Sequence, residues 1–312
     1  MNGRGPGRIG WLLGSLALLG CPSTADDDLG GGDDDTTDDL VEVVLDECLL
    51  DPSCDYVFGT AHRGASRLAP ENTLPAIEKA IEMGFEVVEV DVRETADEVL
   101  VLMHDSSVDR TTDGSGDVDQ MTWAEIQQLT IPSDFPDVPD QPVPTFAEAL
   151  AVMSGRALVD VDAKTDRMDL VADVIAEAGI QRWCNVQVGS LAEAEYLRGE
   201  DPTIPLAPDA EDAAEVASYA PVTPEQFEFP WQLDDAAVIA SALDAGARAN
   251  QNALGASDAA AAVHAANGDD PCQAYRPIWE RGTSVIQTDA PELLGPCLQA
   301  HNAEQGWKHS VE

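Results

Sequence analysis

Positive charge is scarce in this sequence. Its 312 residues carry 16 Lys and Arg against 59 Asp and Glu, a formal net charge of −43. A surface this negative repels phosphate backbones and anionic lipid heads, which excludes nucleic-acid binding driven by counterion release. The same acidity favours the capture of cations. No two cysteines have the CxxC spacing, so a thiolate zinc site is excluded as well. No short-period repeat is present, which speaks against a structural protein. Apolar residues still make up 44% of the chain, enough for a sizeable core despite the charge.

The N-terminus reads as an address. Arg4 and Arg8 precede the apolar stretch 11–20, which is too short to cross a bilayer as a helix. That stretch ends Leu18-Leu19-Gly20-Cys21, which resembles the bacterial lipobox and implies a signal peptide over 1–20 with lipidation of Cys21. Ser23-Thr24-Ala25 offers a rival cut for ordinary secretion. Residues 22–39 hold eight Asp and three Gly, so 21–45 is expected to be an acidic, disordered tether. Five cysteines follow, as export allows. Cys48 and Cys54 are spaced for a small disulfide loop, Cys272 and Cys297 flank the last strand and could pair, and Cys184 lies in an apolar strand as a buried free thiol.

Beyond residue 56 short apolar runs alternate with Ala-rich stretches of helical period. The runs at 57–61, 85–91, 99–103, 157–161, 184–188, about 204–206, 247–252 and 284–288 predict eight parallel strands. Repeated strand-then-helix order over this length predicts an α/β fold of the (β/α)8 TIM-barrel type, spanning 46–300. Residues 106–143 break the rhythm with five prolines between 132 and 144 close behind, so an insertion after the third strand is expected there. Residues 301–312 read as a tail.

The C-terminal ends of barrel strands form the functional face, and polar residues collect there. His62 and Arg63 end the first strand and Glu71 and Asn72 follow in its loop. Glu89 and Asp91 share one side of the second strand. His104 and Asp105 end the third, and Asp160, Asp162 and Lys164 close the fourth. Two carboxylates converging in a lumen repel each other unless a cation sits between them. Oxygen ligands of this kind suit Mg²⁺ or Ca²⁺. A divalent cation with Arg and Lys is equipment for binding phosphate, and two His can divide acid and base duties. These residues alone lead to metal-assisted phosphoester chemistry.

The same residues carry a family resemblance. His62-Arg63-Gly64, Pro70-Glu71-Asn72-Thr73, Glu89-Val90-Asp91, His104-Asp105, Arg110-Thr111-Thr112, Asp162-Ala163-Lys164 and Thr288-Asp289-Ala290-Pro291 together look like the glycerophosphodiester phosphodiesterase family. The resemblance implies hydrolysis of a small glycerophosphodiester to glycerol 3-phosphate and an alcohol. It implies His62 and His104 as the acid/base pair and Arg63 and Lys164 on phosphate. Glu71, Glu89 and Asp91 would ligate the metal, with Asp162 as a further candidate. The family usually has Glu where this chain has Asp162, which shortens the reach by about 1.5 Å. A lysophospholipid substrate is the alternative that an apolar groove beside the rim would favour. A catalytically silent binding lipoprotein is the other. Trp231, Tyr275 and Trp279 are candidates for the glycerol side, and Asp289 reads as the cap of the last helix. No protein partner or nucleic acid is expected. The export signal places the chain on the cell envelope, at the outer membrane or the periplasmic face, held by its lipid.

Overall fold

A computed structural model describes residues 41–309. The expected signal peptide, Cys21 and all of the tether up to residue 40 lie outside the described residues. Eight parallel strands build the centre: β1 (Phe58–Ala61), β2 (Val87–Glu94), β3 (Leu158–Ala163), β4 (Cys184–Val188), β5 (Leu206–Pro208), β6 (Gln226–Phe229), β7 (Arg248–Asn252) and β8 (Val285–Thr288). They pair in the order β6-β7-β8-β1-β2-β3-β4-β5. A single parallel bridge, Asp209 to Glu228, joins the two ends into a barrel.

Each strand hands the chain to a helix on the outside: α1 (Leu74–Glu82), α2 (Phe146–Met153), α3 (Met168–Ala178), α4 (Leu191–Glu200), α5 (Ala213–Ser218), α6 (Ala236–Asp244), α7 (Ala256–Asn267) and α8 (Pro291–Glu304). The local sequence explains these starts. Thr73 caps α1 by accepting from the Ala76 amide, with Pro75 in the first turn, and Thr145 caps α2 in a capping box with Glu148. The buried Ala76, Ile77, Ala80 and Ile81 form the helical stripe that α1 lays on the sheet. It meets Val88, Val90 and Val92, which β2 turns outward.

The floor of the barrel is apolar. Phe58, Val87, Leu158 and Val285 form a layer backed by Leu45, Leu49 and Tyr56 from the segment before β1. Arg248 is 1% exposed; it donates to the carbonyls of Cys48, Leu49, Asp51 and Cys54 and lies over the Phe58 ring. Burial pushes its pKa down to about 10. Those carbonyls belong to a loop closed by a Cys48–Cys54 disulfide. Cys272 pairs with Cys297, and Cys184 is a buried free thiol. All three cysteine expectations agree with the structure.

The barrel and its eight strands were legible, but one of the eight was misassigned. The run at 99–103, expected as the third barrel strand, forms Leu100–Leu102, which pairs antiparallel with the outer end of β2 and leaves the barrel path. The insertion therefore follows the second barrel strand. It is buried on a small core of its own with Val101, Val108, Val118, Ile126 and Ile131, so a hairpin leg has the continuous apolar pattern of a central strand. The strand that replaces it in the count is β6, whose Gln226-Phe227-Glu228-Phe229 alternates in polarity and gave no apolar run. The expected tail is also part of the fold. Helix α8 runs to Glu304, and Trp307–Lys308 pairs parallel with Val41–Glu42, inside the stretch expected as tether.

Candidate active site

The first rim segment is shaped by backbone conformation. Gly64 has φ +72, and a Cβ there would lie 2.6 Å from the Ala76 backbone carbon, so only glycine fits. Arg63 and Asn72 are themselves left-handed, at φ 55 and 56. Asn72 tolerates this well, whereas Arg63 stores strain on the order of 1 kcal/mol. Its amide donates to Glu89 Oε2 at 2.6 Å, and the Asn72 side chain donates to Asp91 Oδ2 and accepts from the Asp91 amide.

Glu89, Asp91 and Asp162 bring ligand oxygens within 4.8 Å of one another, and the first two are buried. Burial and the neighbouring charges of Asp91 and Asp162 push the Glu89 pKa well above the usual carboxylate range. Its Oε1 has no hydrogen-bond partner. Three hard oxygen donors, one of them orphaned, fit a divalent cation. Glu71 stands apart from this trio. It is clasped by Arg110 at 2.8 and 2.9 Å and by Arg63 at 3.1 Å, contacts that hold its pKa below the usual range although burial opposes them. The shorter Asp162 thus joins the cluster, and Glu71 serves as an anchor for arginines.

Lys164 contacts Asp162 and lies 3.5 Å from Asp91. Burial works against its charge, but Asp162, Asp91 and Glu89 outweigh it and hold its pKa above the usual lysine value. Arg63 Nε forms an ion pair with Asp91 Oδ2 at 3.3 Å without hydrogen-bond alignment. Both cations therefore stand against the carboxylate trio with donors to spare.

Each rim histidine is paired through Nδ1 with an aspartate. His62 Nδ1 lies 2.7 Å from Asp289 Oδ1, and His104 Nδ1 lies 2.7 Å from Asp105 Oδ1. An ionised carboxylate can only accept, so it selects the Nδ1–H tautomer and leaves Nε2 without a proton. His62 Nε2 is 4.0 Å from Glu89. Burial raises the Asp289 pKa, but its hydrogen bond to His62 and the charges of His62, Arg63 and Arg67 leave it lowered. Hydrogen bonds from Arg110 and then His104 lower that of Asp105. Arg110 also binds Glu71, so one guanidinium ties the His104 segment to the loop after β1.

Three of these roles were missed or left open in the sequence. Asp289 does not cap α8, whose N-cap is Ala290 without a side-chain bond. It continues the inward parity of Gln287 past the end of β8, a signal that the helix-cap pattern masked. Arg110 gave only a motif match, and Asp105 read either as the partner that orients His104 or as the cap of the following turn; the structure shows the first contact. Of the aromatics, Tyr275 donates to Asp258, which in turn accepts from the Asp289 amide; Trp279 packs on His301, and Trp231 is exposed beyond β6. A cleft of about 560 Å³ opens beside His62, lined by Arg63, Ser66, Arg67, Glu71 and Asp289. Another of about 410 Å³ flanks Lys164, with Arg93, Ser106 and Thr165. Both are lined chiefly by charged and hydroxyl groups.

Residues 62–216 match the glycerophosphoryl diester phosphodiesterase family. Glycerophosphodiester phosphodiesterase 1 of Bos taurus is 47% identical over 100 residues, covering 31% of this chain and 30% of that protein. The chain thus spans about a third of the length of the curated relatives it matches. The crystal structure of glycerophosphodiester phosphodiesterase from Agrobacterium tumefaciens aligns with TM-score 0.64 and 27% identity, over 77% of this chain and 99% of that one. An Oleispira antarctica phosphodiesterase in complex with the product sn-glycerol-3-phosphate shares the fold at TM-score 0.65 and 19% identity, over 79% of this chain and 98% of its own.

Proposed function

This chain belongs to the glycerophosphoryl diester phosphodiesterase family, and from that membership we propose that it hydrolyses small glycerophosphodiesters to glycerol 3-phosphate and an alcohol. The observation that carries this reading is the pair of histidines, each oriented through Nδ1 by an aspartate, on the rim that gathers Glu89, Asp91 and Asp162.

With Nδ1–H committed, Nε2 of each imidazole is free to exchange a proton. One histidine takes the proton of the glycerol 2-hydroxyl as its oxygen attacks phosphorus. The other protonates the departing alkoxide. Water then enters where the alcohol left, the proton flow reverses, and the cyclic phosphate opens. Arg63 and Lys164 hold the non-bridging oxygens. Glu89, Asp91 and Asp162 would hold one Mg²⁺ or Ca²⁺, whose charge offsets the negative charge gathering on the phosphoryl oxygens. The charged lining of both clefts favours a deacylated substrate over an intact lysophospholipid.

Release of glycerol 3-phosphate from glycerophosphocholine tests the proposal, with EDTA, with Mg²⁺ or Ca²⁺ restored, and in His62→Ala. Activity is expected only in the metal-replete wild type. Turnover that survives both chelation and the substitution overturns it.

The proposal extends to place. Two disulfides support export, since such bonds persist in oxidising compartments. Lipidated Cys21 would then tether the enzyme to the cell envelope. A Cys21→Ala chain should leave the membrane fraction; if it stays there, the anchor is wrong.

A further inference from the structure

TIM-barrel lumens are ordinarily filled by tiers of bulky aliphatic side chains. Here that holds for the floor alone. Directly above it the inward positions are polar: Glu89 on β2 beside Asp160 on β3, Asn185 on β4, Glu228 on β6, Asn250 on β7 and Gln287 on β8, none more than 6% exposed.

Two half-sites face this space. Asn185 donates its Nδ2 to Asp160 Oδ1 at 3.1 Å, and Asn252 donates its Nδ2 to Glu228 Oε1 at 3.2 Å. In each half-site the second carboxylate oxygen and the amide oxygen lack an aligned hydrogen bond: Asp160 Oδ2, which the Gln187 side chain also approaches, and Asn185 Oδ1, Glu228 Oε2 and Asn252 Oδ1. Asn250, the register neighbour of Glu228, is fully buried with neither amide atom bonded, and Gln287 Oε1 is orphaned as well. Leu158 and Asp162 flank Asp160 on the inward face of β3, and Phe227 and Phe229 turn outward beside Glu228 on β6, so both half-sites open on the lumen. Among the described residues neither carboxylate has an ion-pair partner.

Buried acceptors left open cost free energy unless something donates to them or binds them. The excess here is of oxygens, two of them in carboxylates. Flexible coordination by carboxylate and amide oxygens is what Ca²⁺ accepts and what the stricter, water-keeping Mg²⁺ does not. We propose that the lumen holds a second cation of the calcium type between Asp160 and Glu228, one inward position below Asp91 and Asp162. This inference is independent of the catalytic reading, because it concerns occupancy and stability alone.

Tightly bound Ca²⁺ surviving gel filtration should be counted on the full chain after chelation and reloading. Two ions per chain are expected in wild type, one in Asp162→Asn and one in Asp160→Asn/Glu228→Gln. The rise in Tm on Ca²⁺ addition should persist in Asp162→Asn and shrink in the lumen variant. A single ion in wild type that vanishes in Asp162→Asn overturns the proposal. So does a lumen variant that still binds two. If the double variant does not fold, anomalous diffraction from a wild-type crystal grown in Mn²⁺ or Ca²⁺ decides the matter. A peak between Asp160 and Glu228 supports the site, and water density without one refutes it.

Discussion

His62 and Asp289 meet at 2.7 Å although they stand 227 residues apart, because β8 closes against β1 in register. The bond makes the last strand of the barrel a support for the first. Asp289 is steadied in turn by Asp258, which accepts from its amide while binding Tyr275 and Thr288.

Asp289→Asn should therefore act on chemistry rather than on folding. An amide can hold the imidazole in the wrong tautomer, so kcat is expected to fall by on the order of 10²-fold with KM little changed. A steady-state comparison with an unchanged thermal melt checks this. A variant as active as wild type returns Asp289 to a structural role.

Arg110 tests the link between the two rim segments. Its guanidinium is half exposed, so Arg110→Ala should cost no more than about 1 kcal/mol in denaturant unfolding. Its effect on kcat should be much larger, since Glu71 and Asp105 both lose their bidentate partner. Arg110→Lys should rescue little, because a point charge cannot reproduce the fork.

The polar lumen predicts an unusual pH dependence for chelated protein. Burial chiefly, with the Asp162 charge added, pushes the Asp160 pKa up to about 7, against an ordinary value near 3.8. Between those values the folded state holds a proton that the unfolded state releases. Stability then falls as pH rises from about 4 through 7, opposite to the usual carboxylate behaviour. Tm measured in EDTA should climb as pH drops from 8 to 6, and Asp160→Asn should flatten the slope. A slope unchanged by that substitution would falsify the assignment.

The Arg248 plug gives a stability prediction. Closing so short a loop is worth roughly 2 kcal/mol in chain entropy, so Cys54→Ser should destabilise by about that much. Arg248→Ala should cost more, about 3–5 kcal/mol, because several buried carbonyls lose a charged donor at once. Guanidinium unfolding monitored by tryptophan fluorescence distinguishes the two.

Most of the rim could be read from the chain, and the reason is spacing. His62, Glu89, Asp91, Asp162 and Lys164 lie at strand ends or on one strand face, where the period of two assigns direction without any tertiary knowledge. What escaped depended on long-range pairing. Nothing local told Leu100–Leu102 that it would run antiparallel, or told the alternating β6 that it would close a barrel. That Asp162 rather than Glu71 would stand beside Glu89 and Asp91 was not legible, because motif membership does not reveal that two arginines clasp Glu71. The polar tier under the rim was invisible for a similar reason, since Asn250 and Gln287 read as ordinary strand residues until their neighbours were known.

The closing bridge between Asp209 and Glu228 has a consequence of its own. His62, Glu89, Asp91, Asp162, Lys164 and Asp289 all come from the consecutive arc β8-β1-β2-β3, at the centre of the strand path, whereas the single-bridge seam lies at its two ends. The ring has its loosest joint diametrically opposite its chemistry. Breathing at that joint, or new chain termini cut into the β5–β6 connection, would open the ring while leaving the working arc intact. The far half is thereby free to diverge, and it is there, past residue 216, that the family match ends.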